Sequence, residues 1–397
     1  MKHNILIISY NHKPALGGIE EWVYQVALAL LRAGWEVVVI APEGDSEVNE
    51  FDSRQPFETI RAIPRRGNGL WTKFVYVFRQ RAFFKSFRHL VENRRVDYTL
   101  AAEPGVYGGY LGLLRWLILN GSNLRRGIVF HGQDVETVPA MSWMRRRLLT
   151  FIVCKMDNVF CNSHFTAHAA KSTFELSADP VVTGCGICPD TLPPPGGQRV
   201  ARSKLDIDAR YVLLTIGRLV PRKGIDMVIR SLPVILSRVH DLLYLVAGGG
   251  DDLDRLRRLT EDVGCKDHVR FDGVFDDDLL AEYYCSADLF VMPARHIPGE
   301  AVEGFGIVYI EAGHYGLPVI GGNAGGVPDA VIDGHTGLLV NPESPPEIAG
   351  AILKLLGDPA LSTRLGIAGQ SRAHNELTWD AVAERIITEV EPTLSCR

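Results

Sequence analysis

Ile5-Leu6-Ile7-Ile8-Ser9 opens the first regular pattern of the chain, and Glu36-Val37-Val38-Val39-Ile40-Ala41-Pro42 closes it after a helical segment at residues 20–33. Continuous apolar runs of this length are typical of strands that are buried on both faces of a parallel sheet. A loop with Gly17 and Gly18 joins the first run to the helix. Residues 5–42 therefore predict a β-loop-helix-β unit, which is the repeating unit of an α/β fold.

The same alternation restarts in the second half of the chain. Short apolar runs alternate there with helical segments, at residues 211–216, 242–247, 269–271, 289–292 and 318–321. Between the halves, residues 188–203 contain four prolines and two glycines, a composition that predicts a linker without helix or central strand. The pattern predicts two Rossmann-like, doubly wound domains that face each other across a cleft, with ligands at the carboxyl ends of the strands.

The predicted domain boundaries follow from this break. A length of 397 residues is enough for two or three domains, each with its own core. We assign residues 1–190 to an N-terminal domain, 191–203 to the hinge linker and 204–378 to a C-terminal domain. The last helix, at about residues 379–397, is predicted to pack back on the first domain.

The composition excludes several classes of protein. With 46% hydrophobic and 22% charged residues, the chain is neither extended and disordered nor collagen-like or coiled-coil. Seven cysteines, scattered from Cys154 to Cys396, do not form a disulfide framework and favour a reducing compartment. Residues 1–10 carry no cleavable signal, and the longest apolar stretch, 107–119, is short and contains Arg115. We therefore predict a cytoplasmic location.

Basic residues are concentrated in one segment of the first half. Residues 61–95 hold ten Lys and Arg side chains against one acid, with seven aromatic residues between them. This composition is typical of an interfacial helix on an anionic membrane, and a second cluster at residues 143–147 has the same character. The alternative is a helix whose aromatics face the core and whose arginines are solvated. We predict peripheral binding to the inner face of the plasma membrane and no nucleic-acid partner.

A basic loop follows the strand at residues 211–216, where a doubly wound sheet delivers side chains to a ligand. It reads Gly217-Arg218-Leu219-Val220-Pro221-Arg222-Lys223-Gly224. The planar donors of Arg218 and the compact charge of Lys223 suit a diphosphate whose negative charge grows as a bond to it breaks. The alternative interpretation is a solvated basic loop.

Two glutamates flank a predicted loop-to-helix turn near Phe305. In Glu303-Gly304-Phe305-Gly306-Ile307-Val308-Tyr309-Ile310-Glu311, the second acid lies about one turn into the helix. A carboxylate can accept hydrogen bonds from the vicinal hydroxyls of a ribose or hexose, so Glu311 suits a ribose and Glu303 a second sugar. The alternative is that Glu303 caps the helix and Glu311 is a surface acid.

Other local patterns are weaker. Glycine-rich turns at Gly248-Gly249-Gly250 and Gly325-Gly326 let a backbone approach a phosphate or sugar, but no G-x-G-x-x-G follows the first strand, which disfavours a nicotinamide dehydrogenase. His131 follows a predicted strand and suits either a sugar hydroxyl or a core carbonyl. Cys185 and Cys188 form a single C-x-x-C pattern, and without a second such pattern we interpret it as incidental and not as a zinc or redox site. We interpret the aspartate clusters as helix starts, so no metal site is predicted.

Five of these features match one known pattern, in order along the chain: Gly17-Gly18-Ile19-Glu20, His131-Gly132, Gly217-Arg218 with Lys223, the E-x7-E pair Glu303 and Glu311, and Gly325-Gly326-Val327-Pro328-Asp329. In this combination the chain resembles the retaining GT-B glycosyltransferases of family 4 over nearly its whole length. Within that family it looks most like the phosphatidylinositol-mannoside mannosyltransferases. Two departures are Glu20, where many relatives of that branch carry glutamine, and Asp329, where glutamate is usual.

The resemblance implies that the domain at 1–190 binds the acceptor and the domain at 204–378 binds the nucleotide-sugar donor, and it implies a role for each donor-site residue. It implies that Gly17 and Gly18 approach the donor diphosphate, which Arg218 and Lys223 clamp. The remaining donor contacts that it implies are Glu303 with backbone groups of Phe305, Gly306 and Ile307 for the sugar, Glu311 for the ribose, and backbone groups of Gly273 and Val274 for the base.

The resemblance also implies the reaction. His131, Arg218, Lys223 and Glu303 are the predicted catalytic residues, and Glu20 and Asp134 are the predicted acceptor residues. A hexose, with mannose favoured, leaves a GDP- or UDP-linked donor for a lipid-linked or glycan acceptor, with retention and without metal or other cofactor. The alternatives are transfer to a soluble small molecule and a catalytically silent GT-B scaffold subunit.

Overall fold

The computed structural model describes residues 3–15, 17–64, 91, 93–104, 124–297 and 302–395. The chain divides into two compact units, Met1–Cys185 with Trp379–Arg397, and Gly186–Thr378. Each unit is built on a parallel sheet, so the predicted α/β class is confirmed. Most of the basic aromatic stretch at 61–95 and all of the apolar stretch at 107–119 lie outside the described residues.

The sheet of the first unit has seven strands in its described part, in the order β3-β2-β1-β4-β5-β6-β7. Their bounds are β1 Asn4–Ile8, β2 Glu36–Pro42, β3 Glu58–Ile63, β4 Tyr98–Ala101, β5 Arg125–Phe130, β6 Asn158–Cys161 and β7 Val181–Val182. Leu6 of β1 pairs in parallel with Val38 on one side and Thr99 on the other. The strand order therefore reverses between β1 and β4, and ligands of doubly wound sheets bind at the carboxyl ends beside such a reversal.

The described helices of the first unit before residue 186 cover this sheet. They are α1 Gly18–Arg32, α2 Ser46–Ser53, α3 Gln133–Glu136, α4 Trp143–Val153 and α5 His164–Phe174. Helix α1 buries Trp22, Val26 and Leu30 completely, as expected for the helix that follows the central strand. This burial fixes the amino end of α1 beside the carboxyl end of β1.

The second unit repeats the arrangement with six strands among its described residues, in the order β10-β9-β8-β11-β12-β13. The strands are β8 Tyr211–Ile216, β9 Leu242–Ala247, β10 Val269–Gly273, β11 Leu289–Met292, β12 Val319–Gly322 and β13 Gly337–Val340. The order reverses between β8 and β11. The loops after these two strands, which begin at Gly217 and Pro293, therefore lie where a ligand is expected.

The helices of the second unit are α6 Gln198–Lys204, α7 Ile225–Leu236, α8 Leu253–Asp262, α9 Leu280–Ser286, α10 Ile307–His314, α11 Val327–Ala330, α12 Pro345–Gly357 and α13 Pro359–Asn375.

The predicted linker was wrong in its second half. Helix α6 begins inside residues 191–203, because the prolines and glycines that break helices end at Gly197. Its Arg202 donates to the carbonyl of Ser286 at 2.9 Å and pairs with Asp288 at 2.8 Å, which docks α6 in this unit.

The last helix, α14 (Trp379–Ser395), belongs to the first unit. It packs against α1, where Arg32 donates to Asp380 at 2.9 and 2.6 Å, and it buries Trp379, Val382 and Ile386. In the part of the chain that the structure describes, no helix has both the length and the hydropathy to cross a membrane.

Candidate functional site

In the second unit, the loop after β8 places a lysine in the protein interior. Pro221–Lys223 form a short 3-10 turn, and Gly224 then adopts a left-handed φ of 73° before α7. A Cβ at Gly224 would lie 2.1 Å from the carbonyl oxygen of Pro293, so only glycine lets this loop close on the end of β11. As a result Lys223 is only 8% exposed, although it lies in a loop.

Glu303 is held between two cations. Its Oε2 lies 2.7 Å from Lys223 Nζ and 2.7 Å from a terminal nitrogen of Arg222. Burial raises the pKa of Glu303, but the charges and hydrogen bonds of Lys223 and Arg222 outweigh it and lower the pKa below its usual value. Glu303 is therefore a partly buried carboxylate, with 13% of its side chain exposed, that remains ionised at neutral pH.

Backbone contacts fix the positions of both partners. The carbonyl of Arg222 accepts a hydrogen bond from the backbone of Arg295, at 2.8 Å, and the carbonyl of Glu303 accepts one from Gly326, at 2.9 Å. Gly325 has a φ of 57°, and a Cβ there would lie 2.6 Å from the Glu303 carbonyl. The predicted Gly325-Gly326 turn thus serves as a close support for Glu303.

Arg218 and Arg222 differ from the sequence-based expectation. Arg218 is exposed and forms no ion pair with a described residue. Arg222, which the sequence analysis quoted but did not select, contacts Glu303 directly. The signal available in the sequence was its place in the same basic loop, one residue before Lys223.

Helix α10 starts beside Glu303. Gly306 has a left-handed φ of 94°, and a Cβ built on it would lie 3.6 Å from Glu303 Cγ and 2.5 Å from the ring of Tyr309. Phe305 is buried, and Ile307 is the first helical residue. The first backbone N–H groups of a helix have no acceptor within the helix, so Glu303 lies next to donors that suit an anion.

Glu311 lies on α10, in its second turn, where a tyrosine orients it. The hydroxyl of Tyr284 donates to Glu311 Oε2 at 2.7 Å, and the ring of Tyr284 stacks on Tyr315 with centroids 5.1 Å apart. Burial raises the pKa of Tyr284, and the adjacent carboxylate raises it further, so the hydroxyl stays protonated and donates. Tyr284 was missed because nothing in the sequence connects α9 with α10.

Gly273 and Val274 lie with the glycine turns at the same edge of the sheet. The carbonyl of Gly273 accepts from the backbone of Gly248 at 2.7 Å, and Val274 is 82% exposed. A Cβ at Gly248 would lie 2.0 Å from the carbonyl oxygen of Gly217, so the turns after β8 and β9 are in close contact. The predicted base-binding residues therefore lie beside the loop that carries Arg218.

In the first unit, His131 follows β5 and is held as a neutral ring. Its Nε2 lies 2.7 Å from the carbonyl oxygen of Ala102, and its ring meets the edge of Trp22 at 5.3 Å. Burial lowers the pKa of His131 to about 4, against the opposing effect of the Ala102 carbonyl. In the neutral ring Nε2 carries the hydrogen, so Nδ1 has the lone pair.

Asp134 organises the turn that carries His131. Its two carboxylate oxygens accept from the backbone N–H of His131 at 2.9 and 3.0 Å, and one also accepts from Val135 at 3.0 Å. Burial raises the pKa of Asp134 to about 7, although these hydrogen bonds oppose the rise. The structure thus shows Asp134 supporting His131.

Gly17, Gly18 and Glu20 form the entry to α1. A Cβ at Gly17 would lie 2.2 Å from Glu20 Oε2, so the Glu20 carboxylate folds back over Gly17. No heavy atom of a described residue lies within 4 Å of the same position on Gly18. The backbone of Gly18 is therefore open to a ligand, whereas the Glu20 carboxylate covers Gly17.

Glu103, two residues after the end of β4, is not among the residues predicted from the sequence. It is 5% exposed and accepts hydrogen bonds from Ser9 Oγ at 2.9 Å and from the backbone of Tyr10. Burial raises the pKa of Glu103 to about 8; these hydrogen bonds oppose the rise, and the charges of Asp134 and Glu20 add to it. The available signal was an acid two residues after a buried strand.

The remaining predicted features carry no further chemistry in the structure. Within the described ranges, no three His, Cys, Asp or Glu side chains are grouped so that they could hold a metal ion. Neither Cys185 nor Cys188 forms a disulfide bond with a described residue.

Comparison with known proteins identifies the family of this chain. The model "Glycosyltransferase Family 4" matches residues 16–190, and "Glycosyl transferases group 1" matches residues 198–372. The chain is 30% identical over 388 residues to a GDP-mannose-dependent alpha-(1-6)-phosphatidylinositol monomannoside mannosyltransferase of Mycolicibacterium smegmatis, covering 96% of this chain and 97% of that protein.

Two further proteins extend the comparison. The GDP-mannose-dependent monoacylated alpha-(1-6)-phosphatidylinositol monomannoside mannosyltransferase of Corynebacterium glutamicum is 28% identical, with 98% of each chain covered. Sucrose-phosphate synthase from Thermosynechococcus elongatus has the same fold, with a TM-score of 0.74, 24% identity and full coverage of both chains. The chain therefore belongs to the group 1 glycosyltransferases of family 4, has the GT-B fold and resembles the phosphatidylinositol-mannoside mannosyltransferases.

Proposed function

We propose that this glycosyltransferase moves mannose from GDP-mannose to a lipid-linked acceptor of the phosphatidylinositol-mannoside type, with retention of the anomeric configuration. One structural observation carries the donor site: an ionised Glu303 lies between Lys223 and Arg222, next to the first turn of α10. The names of the two mannosyltransferases similar to this chain support GDP-mannose and the lipid acceptor.

Charge balance supports a diphosphate ligand. Arg218, Arg222 and Lys223 supply three positive charges in one loop, and Glu303 neutralises one of them. Lys223 has three N–H donors and Arg222 five, so both retain donors for phosphate oxygens while they contact Glu303. The cations can thus stabilise the charge that grows on the departing diphosphate, and the proposed reaction needs no metal ion.

The proposed chemical step needs no nucleophile from the protein. The bond between the anomeric carbon and the diphosphate breaks, and the acceptor oxygen bonds to that carbon from the same face. The departing phosphate oxygen takes the acceptor proton. Glu303 accepts a hydrogen bond from a hydroxyl of the transferred sugar, and Glu311 accepts from the ribose.

The proposed location is the cytoplasmic face of the membrane, where a lipid acceptor is reached. The basic and aromatic composition of residues 61–95 supports this from the sequence. Most of that stretch lies outside the described residues, so its role stays a prediction.

Donor choice and acceptor choice are tested separately. Thermal-shift measurements with GDP and UDP are followed by transfer assays with their sugars and a lipid acceptor, with and without EDTA. We expect stabilisation by GDP, mannosyl transfer that EDTA leaves unchanged, and an α-linked product by NMR. Transfer that proceeds only to soluble inositol acceptors would favour the soluble-acceptor alternative, and absence of nucleotide binding would favour the silent scaffold.

A further inference from the structure

Helix α4 exposes large apolar side chains to solvent. Trp143 is 68%, Met144 73% and Phe151 44% exposed, whereas Leu149, Ile152 and Val153 on the opposite side are buried in the core. Isolated exposed apolar residues are common on proteins, but three on one short helix form a patch. We call the exposed face formed by Trp143–Arg147 and Phe151 the α4 face.

The α4 face combines these residues with three arginines. Trp143, Arg147 and Phe151 follow one another at intervals of four, which places them on one side of the helix. The guanidinium of Arg147 lies 5.1 Å from the centre of the Trp143 ring. Arg145, Arg146 and Arg147 are all exposed, and none forms an ion pair with a described residue.

The charges on α4 work against the stability of the helix itself. Its first turn contains no acid, and Ser142 makes no side-chain capping bond. Cations near a helix amino end oppose the macrodipole, at a cost. Furthermore, no Asp or Glu occurs between Glu136 and Asp157. Exposed residues that lower the stability of their own helix indicate that this face interacts with something outside the folded chain.

The position of α4 relates this face to the turn that carries His131. The chain leaves β5 at Phe130, passes His131 and α3, and enters α4 twelve residues after His131. Between two parallel strands, the connecting helix starts at the carboxyl edge of the sheet and returns toward the opposite edge. Trp143 and Met144 therefore lie toward the edge of this unit that carries His131 and Glu103.

We propose that the α4 face docks on the surface of an anionic lipid bilayer, with Trp143 and Met144 at the boundary of headgroups and acyl chains and the arginines on anionic headgroups. This inference rests on the proposed function, because a lipid-linked acceptor is presented at such a surface. A stable protein partner needs about 800 Å² from each side, more than one helix face offers, whereas a bilayer binds a single amphipathic helix.

Vesicle co-sedimentation of the full chain tests the proposal. The probes are vesicles of phosphatidylcholine alone and of phosphatidylcholine mixed with phosphatidylglycerol. We compare wild type with the triple variant Arg145→Gln, Arg146→Gln, Arg147→Gln. The matched control changes three exposed arginines of the other unit, Arg230→Gln, Arg238→Gln and Arg257→Gln, and so removes the same charge.

The proposal predicts that the wild type binds the mixed vesicles and that salt weakens this binding. Each cation near an anionic surface contributes about a fivefold change in affinity, so the α4 triple variant should bind on the order of 100-fold more weakly. The control variant should stay within about twofold of wild type, because its arginines lie elsewhere. Equal binding by wild type and the α4 triple variant would overturn the proposal.

The apolar part of the α4 face is tested independently. Trp143→Ser with Met144→Ser should weaken binding without lowering the melting temperature, because both side chains are exposed. Lipids brominated near the headgroup should quench Trp143 fluorescence, and Trp143→Phe should remove that quenching. Quenching that is unchanged in Trp143→Phe would show that Trp143 does not enter the bilayer.

The last comparison separates this proposal from the proposed function. Transfer to a short-chain, water-soluble acceptor analogue should be unchanged in the α4 variants, while transfer to the acceptor in vesicles should fall at least tenfold. Wild type that transfers to the analogue but binds no vesicle would overturn the docking proposal alone. Vesicle binding that depends on α4 without any glycosyl transfer would uphold docking and overturn the proposed function. Binding of polyglutamate at the same strength as the mixed vesicles would overturn the assignment to a bilayer.

Discussion

Glu303 is a partly buried carboxylate whose charge is stabilised by two neighbours. Burial alone would raise its pKa, and the structure shows that Lys223 and Arg222 reverse the direction. A carboxylate placed in this way can accept hydrogen bonds from a sugar without taking up a proton itself. The same contact holds two cations in place before any donor binds, which reduces the cost of organising the diphosphate site.

Glu303→Gln tests the role of that charge. Glutamine keeps the size of the side chain but removes the charge that balances Lys223 and Arg222. We expect kcat/KM for transfer to fall on the order of 100-fold. Calorimetry should show GDP binding that is not weakened, because the cations are released for the diphosphate. Near-native turnover would contradict the proposed sugar contact.

Arg222→Ala tests whether the donor diphosphate is held by the observed pair Arg222 and Lys223 or by the pair Arg218 and Lys223 that the sequence predicts. Because Arg222 contacts Glu303 directly, its loss should lower transfer on the order of 10- to 100-fold, as should Lys223→Ala. The matched control is Arg230→Ala, an exposed arginine on α7. If Arg222→Ala behaves like this control while Arg218→Ala abolishes transfer, the clamp consists of Arg218 and Lys223, as the sequence predicted.

Glu103→Gln tests how the free energy of unfolding depends on pH. The pKa of Glu103 is raised from 4.5 to about 8 in the fold, so between these values the native state binds more protons than the unfolded state. Stability contributed by the protonated group is therefore lost as pH rises through this range. Urea unfolding is compared between pH 6.5 and about 8, because the titrations of His131 and Asp134 occur in wild type and variant alike and cancel in the difference. The loss of stability over this range should be smaller in the glutamine variant by about 1 kcal/mol or more.

Among the secondary-structure elements, most central strands were predictable, whereas the edge strands β3 and β13 were not. The run at 36–42 is continuously apolar and forms β2, whereas β3 contains Glu58, Thr59 and Arg61 and is only partly buried. Strand β13 begins at Gly337, whose Cβ position lies 2.5 Å from the carbonyl oxygen of Val319. Edge strands of this kind are stabilised by pairing with a neighbour, which local sequence does not encode.

The start of α10 depends on a glycine with a backbone conformation that other residues avoid. Gly306→Ala would place a methyl group 2.5 Å from the Tyr309 ring at a φ of 94°, so we expect a loss of stability of about 1–3 kcal/mol and weaker transfer. Gly350→Ala in α12 is the control, because its Cβ meets no described atom within 4 Å. This control should stabilise the protein by about 0.5–1 kcal/mol in chemical unfolding. Equal effects of the two substitutions would contradict the role of Gly306.

Taken as a chain, the protein contains two compact units, and the first is completed by its last helix. Helix α14 buries Trp379, Val382 and Ile386, in a unit that otherwise ends at Cys185. A segment that lies 348 residues from α1 in the sequence, counted from Arg32 to Asp380, therefore contributes to the core around α1.

Ile386→Ala tests this division. Removing buried methyl groups should cost about 2–4 kcal/mol, and the cost should appear in the unit that contains α14. Hydrogen exchange should show faster opening of amides in β1 than in the wild type, with little change in β8. Ile367→Ala is the control, because Ile367 is 63% exposed on α13. Equal acceleration in both sheets would show that the units do not open separately.

The sequence by itself determined the α/β class, the two GT-B domains, and the Glu303, Glu311 and Lys223 motif positions, because buried parallel strands and glycine-bounded loops leave local patterns. Only the tertiary structure decided which groups meet: Arg222 with Glu303, Tyr284 with Glu311, Ser9 with Glu103, and α14 with α1. These contacts join loops from different strands at the carboxyl edge of a sheet or helices distant in sequence. Their energies depend on burial and on charges that become neighbours only when the sheet forms, so no local pattern contains them.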